Sequence, residues 1–125
     1  MPLPALHAAL SNTAFLYFLA ISIWGFWRFF RRQGVDSSYW GTLVIAEILI
    51  LAQAALGAYM WFLGLRPARG VHLLYGILVL MMIPGAYVYT RGRDARRDIL
   101  AYGTATIIAV GLIIRATFTG ALPLP

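Results

Sequence analysis

The chain of 125 residues is 62% hydrophobic and only 11% charged, and ten basic residues against four acidic ones give it a net charge of +6. This composition is too apolar for a soluble domain, where about a quarter of the residues are charged. It contains no cysteine, which excludes disulfides, thiolate metal sites and cysteine nucleophiles. All ten basic residues are arginines that cluster near the ends of apolar segments, which argues against nucleic-acid binding. We therefore expect one membrane domain, residues 1–125.

Four apolar segments follow one another along the chain. Each is long enough to cross a bilayer, which takes about 20 helical residues. Because a backbone in lipid must satisfy its own hydrogen bonds, each segment should be helical. The sequence thus predicts an all-α fold, an integral membrane four-helix bundle, with helices at roughly 5–30, 39–64, 70–90 and 98–118.

The arginines predict the orientation of the bundle. The loop between the second and third segments carries two arginines, Arg66 and Arg69. Seven others follow the first and third segments, and arginine-rich loops stay in the cytoplasm. We therefore expect both termini to be extracytoplasmic, in a multi-pass protein of a prokaryotic inner or cell membrane. The seven are Arg28, Arg31, Arg32, Arg91, Arg93, Arg96 and Arg97.

A repeat is visible when the sequence is shifted by 65 residues, because His7 then falls on His72 and three arginines fall on three others. At a different offset, LAQAALGA (51–58) resembles IRATFTGA (114–121). The pattern predicts two repeated hairpins related by a pseudo-twofold axis along the membrane normal. Each histidine lies about 32 Å from its matched arginine along the helix. Both imidazoles should therefore lie at equal depth, near the outer surface.

Two facing imidazoles on opposite helices of a bundle can serve as the axial ligands of a haem iron. The residues four positions after each histidine share its helical face and are small, which leaves room for a macrocycle. Arginines expected near the outer surface could pair with the haem propionates. We therefore expect one low-spin haem b, with the iron ligated by His7 and His72. The predicted cofactor-binding residues are His7, His72, Ser11, Gly76, Arg66, Arg69 and Arg115.

Other interpretations of the same residues stay open. An intramembrane histidine can simply hydrogen-bond a neighbouring helix. A chlorophyll-type pigment takes one histidine per macrocycle, so the chain could hold two pigments. A transition-metal site is less favoured, because no carboxylate or thiolate accompanies the histidines. Glu47, about 12 Å into the second helix, could relay protons, contact a quinone or bond a neighbouring helix as the neutral acid.

The stretch QAALGAYMWFLGLRPARGVHLLYGILVL (53–80) resembles one half of the haem A synthase family, in which a glutamine and a glycine on one helix precede a short outer loop and a histidine that opens the next helix. The resemblance implies a four-helix half that holds haem towards the outer face, between His7 and His72. The family's catalytic half has a glutamate with a histidine and an arginine shortly after it. Here Glu47 is followed by ILILAQ, so the resemblance implies the haem-holding scaffold without the oxidising site.

We therefore expect a membrane b-type cytochrome that transfers single electrons and has no catalytic residues, an electron carrier or complex subunit more than a stand-alone enzyme. Its expected partners are membrane lipid and either quinol or a larger respiratory or photosynthetic complex, although no set of residues identifies a quinone site. The alternatives are a non-redox or pigment-binding small membrane subunit and a compact enzyme similar to haem A synthase.

Overall fold

The computed structural model describes residues 2–120 and consists of four α-helices. Each helix is long and apolar enough to cross a membrane. This confirms the predicted all-helical fold, with ends displaced by a few residues. The second helix, for example, ends before Gly64, whose φ of +83° is a left-handed conformation that does not continue a helix. The helices are α1 (Leu3–Phe30), α2 (Ser37–Phe62), α3 (Val71–Thr90) and α4 (Arg96–Gly120).

The four helices form a ring in which each packs against its neighbours in sequence and α4 also packs against α1. The helices of the two diagonal pairs, α1 with α3 and α2 with α4, do not bring their described backbones within 8 Å. The loops 31–36 and 91–95 meet at one end of the bundle, which we call the arginine-rich end. The loop 63–70, the start of α1 and the end of α4 meet at the other, which we call the histidine end.

The arginine-rich end is closed by hydrogen bonds between the two hairpins. The backbone N–H of Val35 donates to the carbonyl oxygen of Asp94 at 2.9 Å, and Arg96 Nε donates to the carbonyl oxygen of Phe29 at 2.8 Å. Gly34 lies so close to Asp94 that any β carbon would collide with the Asp94 backbone. The loops therefore pack as one unit at this end.

A close-packed core fills the bundle next to the arginine-rich end. Its largest fully buried side chains are Tyr39, Tyr102 and Phe18. The hydroxyl of Tyr39 donates to the carbonyl oxygen of Ile21 at 3.2 Å, and that of Tyr102 bonds Thr90 Oγ1 at 3.1 Å. Buried tyrosines are tolerated in apolar surroundings because their hydroxyl groups are paired.

The buried apolar core stops well short of the histidine end. On the four helices in turn it reaches only as far as Ala14, Ile50, Val79 and Ile113. The part of each helix between these residues and the histidine end is called the histidine layer. It comprises 3–13, 51–62, 71–78 and 114–120. Thr119 is the only fully buried side chain of the histidine layer. The two histidines lie about 10 Å beyond the edge of the core, since His7 is seven positions from Ala14 and His72 is seven positions from Val79.

The packing is not twofold symmetric. The helices α1 and α3 lie diagonally opposite each other, as an axis relating two hairpins would require. However, α4 is far more buried than its counterpart α2. Ser22 Oγ donates to the carbonyl oxygen of Gly103 at 3.0 Å, which ties α1 closely to α4. The bundle is consequently tight around α4 and open between α2 and α3.

Candidate functional site

The two histidines of the chain face each other across the histidine layer. His7 lies on α1 and His72 on α3, and their ring centroids are 6.2 Å apart with the ring planes inclined by 66°. Both side chains are only partly buried. Since α1 and α3 are diagonal helices, the two rings approach each other through the middle of the bundle.

His72 is held in one tautomer by α4. Its Nδ1 atom lies 2.8 Å from the carbonyl oxygen of Ala116, and the hydroxyl of Thr119 is 3.5 Å from the same nitrogen. A carbonyl oxygen can only accept, so Nδ1 carries the hydrogen. The other nitrogen, Nε2, keeps a free lone pair, which is the arrangement typical of a histidine that binds a metal.

His7 has a different set of contacts. Its backbone carbonyl oxygen accepts a hydrogen bond from Gln53 Nε2 at 2.8 Å. Its Nδ1 atom and Gln53 Oε1 are both buried, and neither has a hydrogen-bond partner among residues 2–120. Buried polar atoms without a partner are costly, and these two belong to residues that are already in contact. His7 Nδ1 and Gln53 Oε1 could therefore each form one further hydrogen bond at this site.

Each ring packs against a glycine of the following helix in its own hairpin. A β carbon on Gly57 would lie 3.3 Å from Cε1 of His7, and one on Gly120 would lie 2.6 Å from Cε1 of His72. His72 can occupy this position only because Gly120 has no side chain. These glycines and Gln53, together with the carbonyl of Ala116, form the surroundings of the histidines that the sequence alone did not assign to the site.

One signal in the sequence pointed to these glycines. The correspondence between 51–58 and 114–121 aligns Gly57 with Gly120. Taken alone, Gly57 does not indicate a binding site, because glycines are common between membrane helices.

The two small residues predicted to make room for a macrocycle lie in different surroundings. Ser11 bonds Thr117 at 3.1 Å between the hydroxyl oxygens, and it lines a cleft of about 230 Å³ between α1 and α4. Ser11 is therefore directed towards α4. Gly76 has no atom within 4 Å of the position that a β carbon would take, so the space beside it is open.

All three arginines proposed for the site are exposed at the histidine end. The guanidinium carbon of Arg66 lies 3.9 Å from the ring centroid of Trp61, and that of Arg115 lies 5.9 Å from the ring centroid of Tyr75, three residues after His72. The backbone N–H of Arg69 donates to the carbonyl oxygen of Thr119 at 3.1 Å. The two ion pairs found in the described part of the chain both lie at the arginine-rich end, and neither involves these three guanidinium groups.

The site offers few side chains that could bind a metal ion. Residues 2–120 contain no group of three or more histidine or acidic side chains that could hold a metal ion. His7 and His72 alone supply two nitrogens. Such a pair suits an ion whose remaining ligands come from a macrocycle, and it does not suit a bare transition metal, which needs more protein ligands.

Comparison of the chain with protein-family models, curated proteins and solved structures finds no match. The fold and site define a four-helix chain suited to a membrane, with one paired-histidine site at one end, and any functional assignment depends on that geometry.

Proposed function

We propose that this chain is a membrane b-type cytochrome that holds one haem b between His7 and His72 and transfers single electrons. The observation that carries the proposal is the 6.2 Å separation of the two ring centroids. Metal–imidazole bonds are about 2 Å long, and the ring centre lies about 1 Å further out, so the centroids of two ligands on opposite sides of one ion lie about 6 Å apart. The residues present therefore fit an axial pair.

The surroundings of the rings support the same assignment. The hydrogen bond to Ala116 fixes His72 with Nε2 available as a ligand. The histidine layer lacks the buried apolar core that fills the rest of the bundle, and a macrocycle held between the two rings would lie in this layer. Neither the cleft between α1 and α4 nor the cleft between α2 and α3 has a histidine in its lining.

The arginines at the histidine end suit the two propionates of haem. Arg66, Arg69 and Arg115 have no carboxylate partner among residues 2–120, and charge-assisted pairs between arginine and carboxylate are among the strongest hydrogen bonds. Their role would be to orient the cofactor with its propionates towards the aqueous surface and to compensate its negative charge.

A bound haem supplies a one-electron couple of iron, and the chain tunes it through ligands, burial and nearby charge. If both histidines held the iron of a bound haem, no coordination position would remain for oxygen, which favours an electron carrier over an oxidising enzyme. We further propose that the histidine end is extracytoplasmic in a prokaryotic inner membrane. The shared pattern of histidine against glycine in both hairpins supports a duplicated hairpin.

Purification of the protein from membranes tests the proposal. We expect a low-spin spectrum with sharp bands on reduction, and loss or strong weakening of haem retention in His7→Ala and in His72→Ala. Asn12→Ala, a change at an exposed position of α1, should retain full haem content. Free imidazole should restore the low-spin spectrum in the alanine variants. Full retention of haem in both histidine variants would contradict the proposal.

The same spectrum separates the competing interpretations. Chlorophyll-type pigments absorb at longer wavelengths, and two macrocycles would not both fit between rings whose centroids are 6.2 Å apart. A non-redox subunit would show no bands that change on reduction.

A further inference from the structure

A second site lies on the open side of the bundle, between α2 and α3. A cleft of about 510 Å³ there is lined by aliphatic and aromatic side chains and by one carboxyl group, that of Glu47. Its α2 wall includes Val44, Ile48 and Leu51, all of which are exposed on the outer surface of the bundle. The cleft therefore opens sideways, to the lipid that surrounds membrane-spanning helices.

The carboxyl group is the unusual feature of this cleft. Glu47 Oε2 is buried and has no hydrogen-bond partner among residues 2–120. A bond to a neighbouring helix, one of the three roles that the sequence left open for Glu47, is thus absent for this oxygen. Glu47 lies about 15 Å from the start of α2 at Ser37, whereas the arginines occur near the helix ends. A buried carboxyl oxygen with no partner is costly, and a hydrogen bond with another molecule would remove that cost.

The position of the cleft limits what that molecule can be. It must reach Glu47 through the bilayer, so it is lipid-soluble. It must carry an oxygen that pairs with a carboxyl group, either a hydroxyl that donates or a carbonyl that accepts. Hydrocarbon tails of phospholipids have no such group at this depth.

The aromatic residues of the cleft further restrict the class of molecule that could bind there. Trp40 and Tyr87 line it from opposite helices, with ring centroids 5.6 Å apart. Aromatic rings favour stacking or edge contacts with a flat ring. A ring with polar oxygens and an apolar tail is the chemistry of a quinone.

We propose that the cleft between α2 and α3 binds the head group of a membrane quinone or quinol, with one ring oxygen on Glu47 and the tail along Ile48 and Leu51. The site does not require a haem, because it lies about 15 Å from the level of the histidines along α2, ten residues from Gly57. It goes beyond the electron-transfer proposal and can be tested apart from it.

The test uses the full chain in lipid nanodiscs free of quinone, with decylubiquinone as the probe and quenching of tryptophan fluorescence as the readout. We expect saturable quenching by the wild type. Glu47→Leu should weaken the affinity roughly tenfold or more, because it removes the only carboxyl of the cleft. Glu47→Gln, which keeps a hydrogen-bonding group, should retain more affinity than Glu47→Leu.

Three controls keep the result specific. Asn12→Leu makes a similar change from polar residue to leucine in the other cleft, between α1 and α4, and should leave the affinity unchanged. His72→Ala should also bind the probe normally, so that failure of haem binding and failure of quinone binding can be told apart. Val44→Phe, which narrows the mouth of the cleft without adding a tryptophan to the fluorescence signal, should weaken binding without changing Glu47.

Equal affinity of the wild type and Glu47→Leu would overturn the proposal. So would equal binding of decylbenzene, which has a ring and a tail but no oxygen, because it would mean that the cleft accepts any apolar molecule. Cross-linking of a second chain through a cysteine placed at Ile48 would assign the cleft to a helix contact and would likewise overturn it. The thermal unfolding of each variant, measured alongside, establishes that the bundle is intact.

Discussion

Gly120 packs directly against the imidazole of His72, so closely that a β carbon would lie 2.6 Å from Cε1 and 2.7 Å from Nδ1. The same ring donates its Nδ1–H to Ala116 on that helix. One short segment of α4 therefore determines both the position and the tautomer of His72.

Replacement by alanine should affect haem binding more at Gly120 than at Gly57. Gly120→Ala must displace the His72 ring and break its hydrogen bond, so we expect it to lose most of the bound haem. Gly57→Ala places its methyl group 3.3 Å from Cε1 of His7, which a small shift relieves, so we expect a partial loss. Gly111→Ala is the matched control on α4, because nothing lies within 4 Å of its β-carbon position. Haem content per protein, measured from the reduced spectrum, checks the order. Equal content in the Gly120 and Gly111 variants would contradict it.

Neutralising an arginine at the histidine end should change the potential of the haem without removing it. Arg115→Gln should lower the midpoint potential by roughly tens of millivolts, since losing a nearby cation disfavours the more negative reduced state. Arg31→Gln, at the arginine-rich end, should leave the potential unchanged. A redox titration followed by absorbance measures both. If removal of Arg66, Arg69 or Arg115 raises the potential or leaves it unaltered in all three cases, none of them lies near the haem.

The orientation of the bundle can be read with single cysteines, since the natural chain has none. Arg69→Cys and Gln33→Cys occupy exposed loop positions at opposite ends. The seven arginines in and directly beside the loops 31–36 and 91–95 predict that this end is cytoplasmic. A membrane-impermeant maleimide added to intact cells should label the Arg69 variant and spare the Gln33 variant. The reverse pattern would place the histidine site on the cytoplasmic side.

Asp98 should be the most sensitive acidic residue for stability. It is buried, and its Oδ2 accepts a hydrogen bond from the backbone N–H of Ala95 at 3.0 Å, which caps the start of α4. Asp98→Ala should cost about 1–3 kcal/mol, chiefly through the lost cap and the unpaired N–H. The ion pair with the half-exposed Arg93 adds little. Asp94→Ala, at an exposed position, should change the unfolding temperature in detergent very little. A similar effect of both changes would argue against the cap.

The cofactor should be recovered without chemical modification. Oxidation of a haem methyl group needs proton-handling residues beside the haem and an open coordination position. The polar side chains that contact the two histidines are Gln53, which bonds the His7 backbone, and Thr119, which lies beside the His72 ring. Glu47 lies about 15 Å away along α2. After aerobic incubation with a reductant, the extracted haem should have the mass of haem b. Hydroxylated or formylated haem above the level of a His72→Ala control would instead make the chain a compact synthase.

The sequence predicts the helices well and the site only in outline. The apolar segments give all four helices, because length and hydropathy determine a membrane span. The equal depth of His7 and His72 follows from the helical rise. What the sequence could not give is which side chain faces which neighbour. Ser11 shares a helical face with His7, yet it bonds Thr117 on α4, because tertiary packing decides which helix covers that face. For the same reason, the sequence could not predict that Glu47 Oε2 has no hydrogen-bond partner among residues 2–120.

The uneven packing of the bundle has a consequence for its biogenesis. The two hairpins are joined where the 31–36 and 91–95 loops meet, and the aromatic core lies next to that junction. The histidine layer contributes almost nothing to that core. The core next to the arginine-rich end therefore supplies most of the buried packing that holds the four helices together. Without bound haem, the chain would be folded at the arginine-rich end and incompletely packed at the histidine end. Haem binding would then be the last step of its maturation.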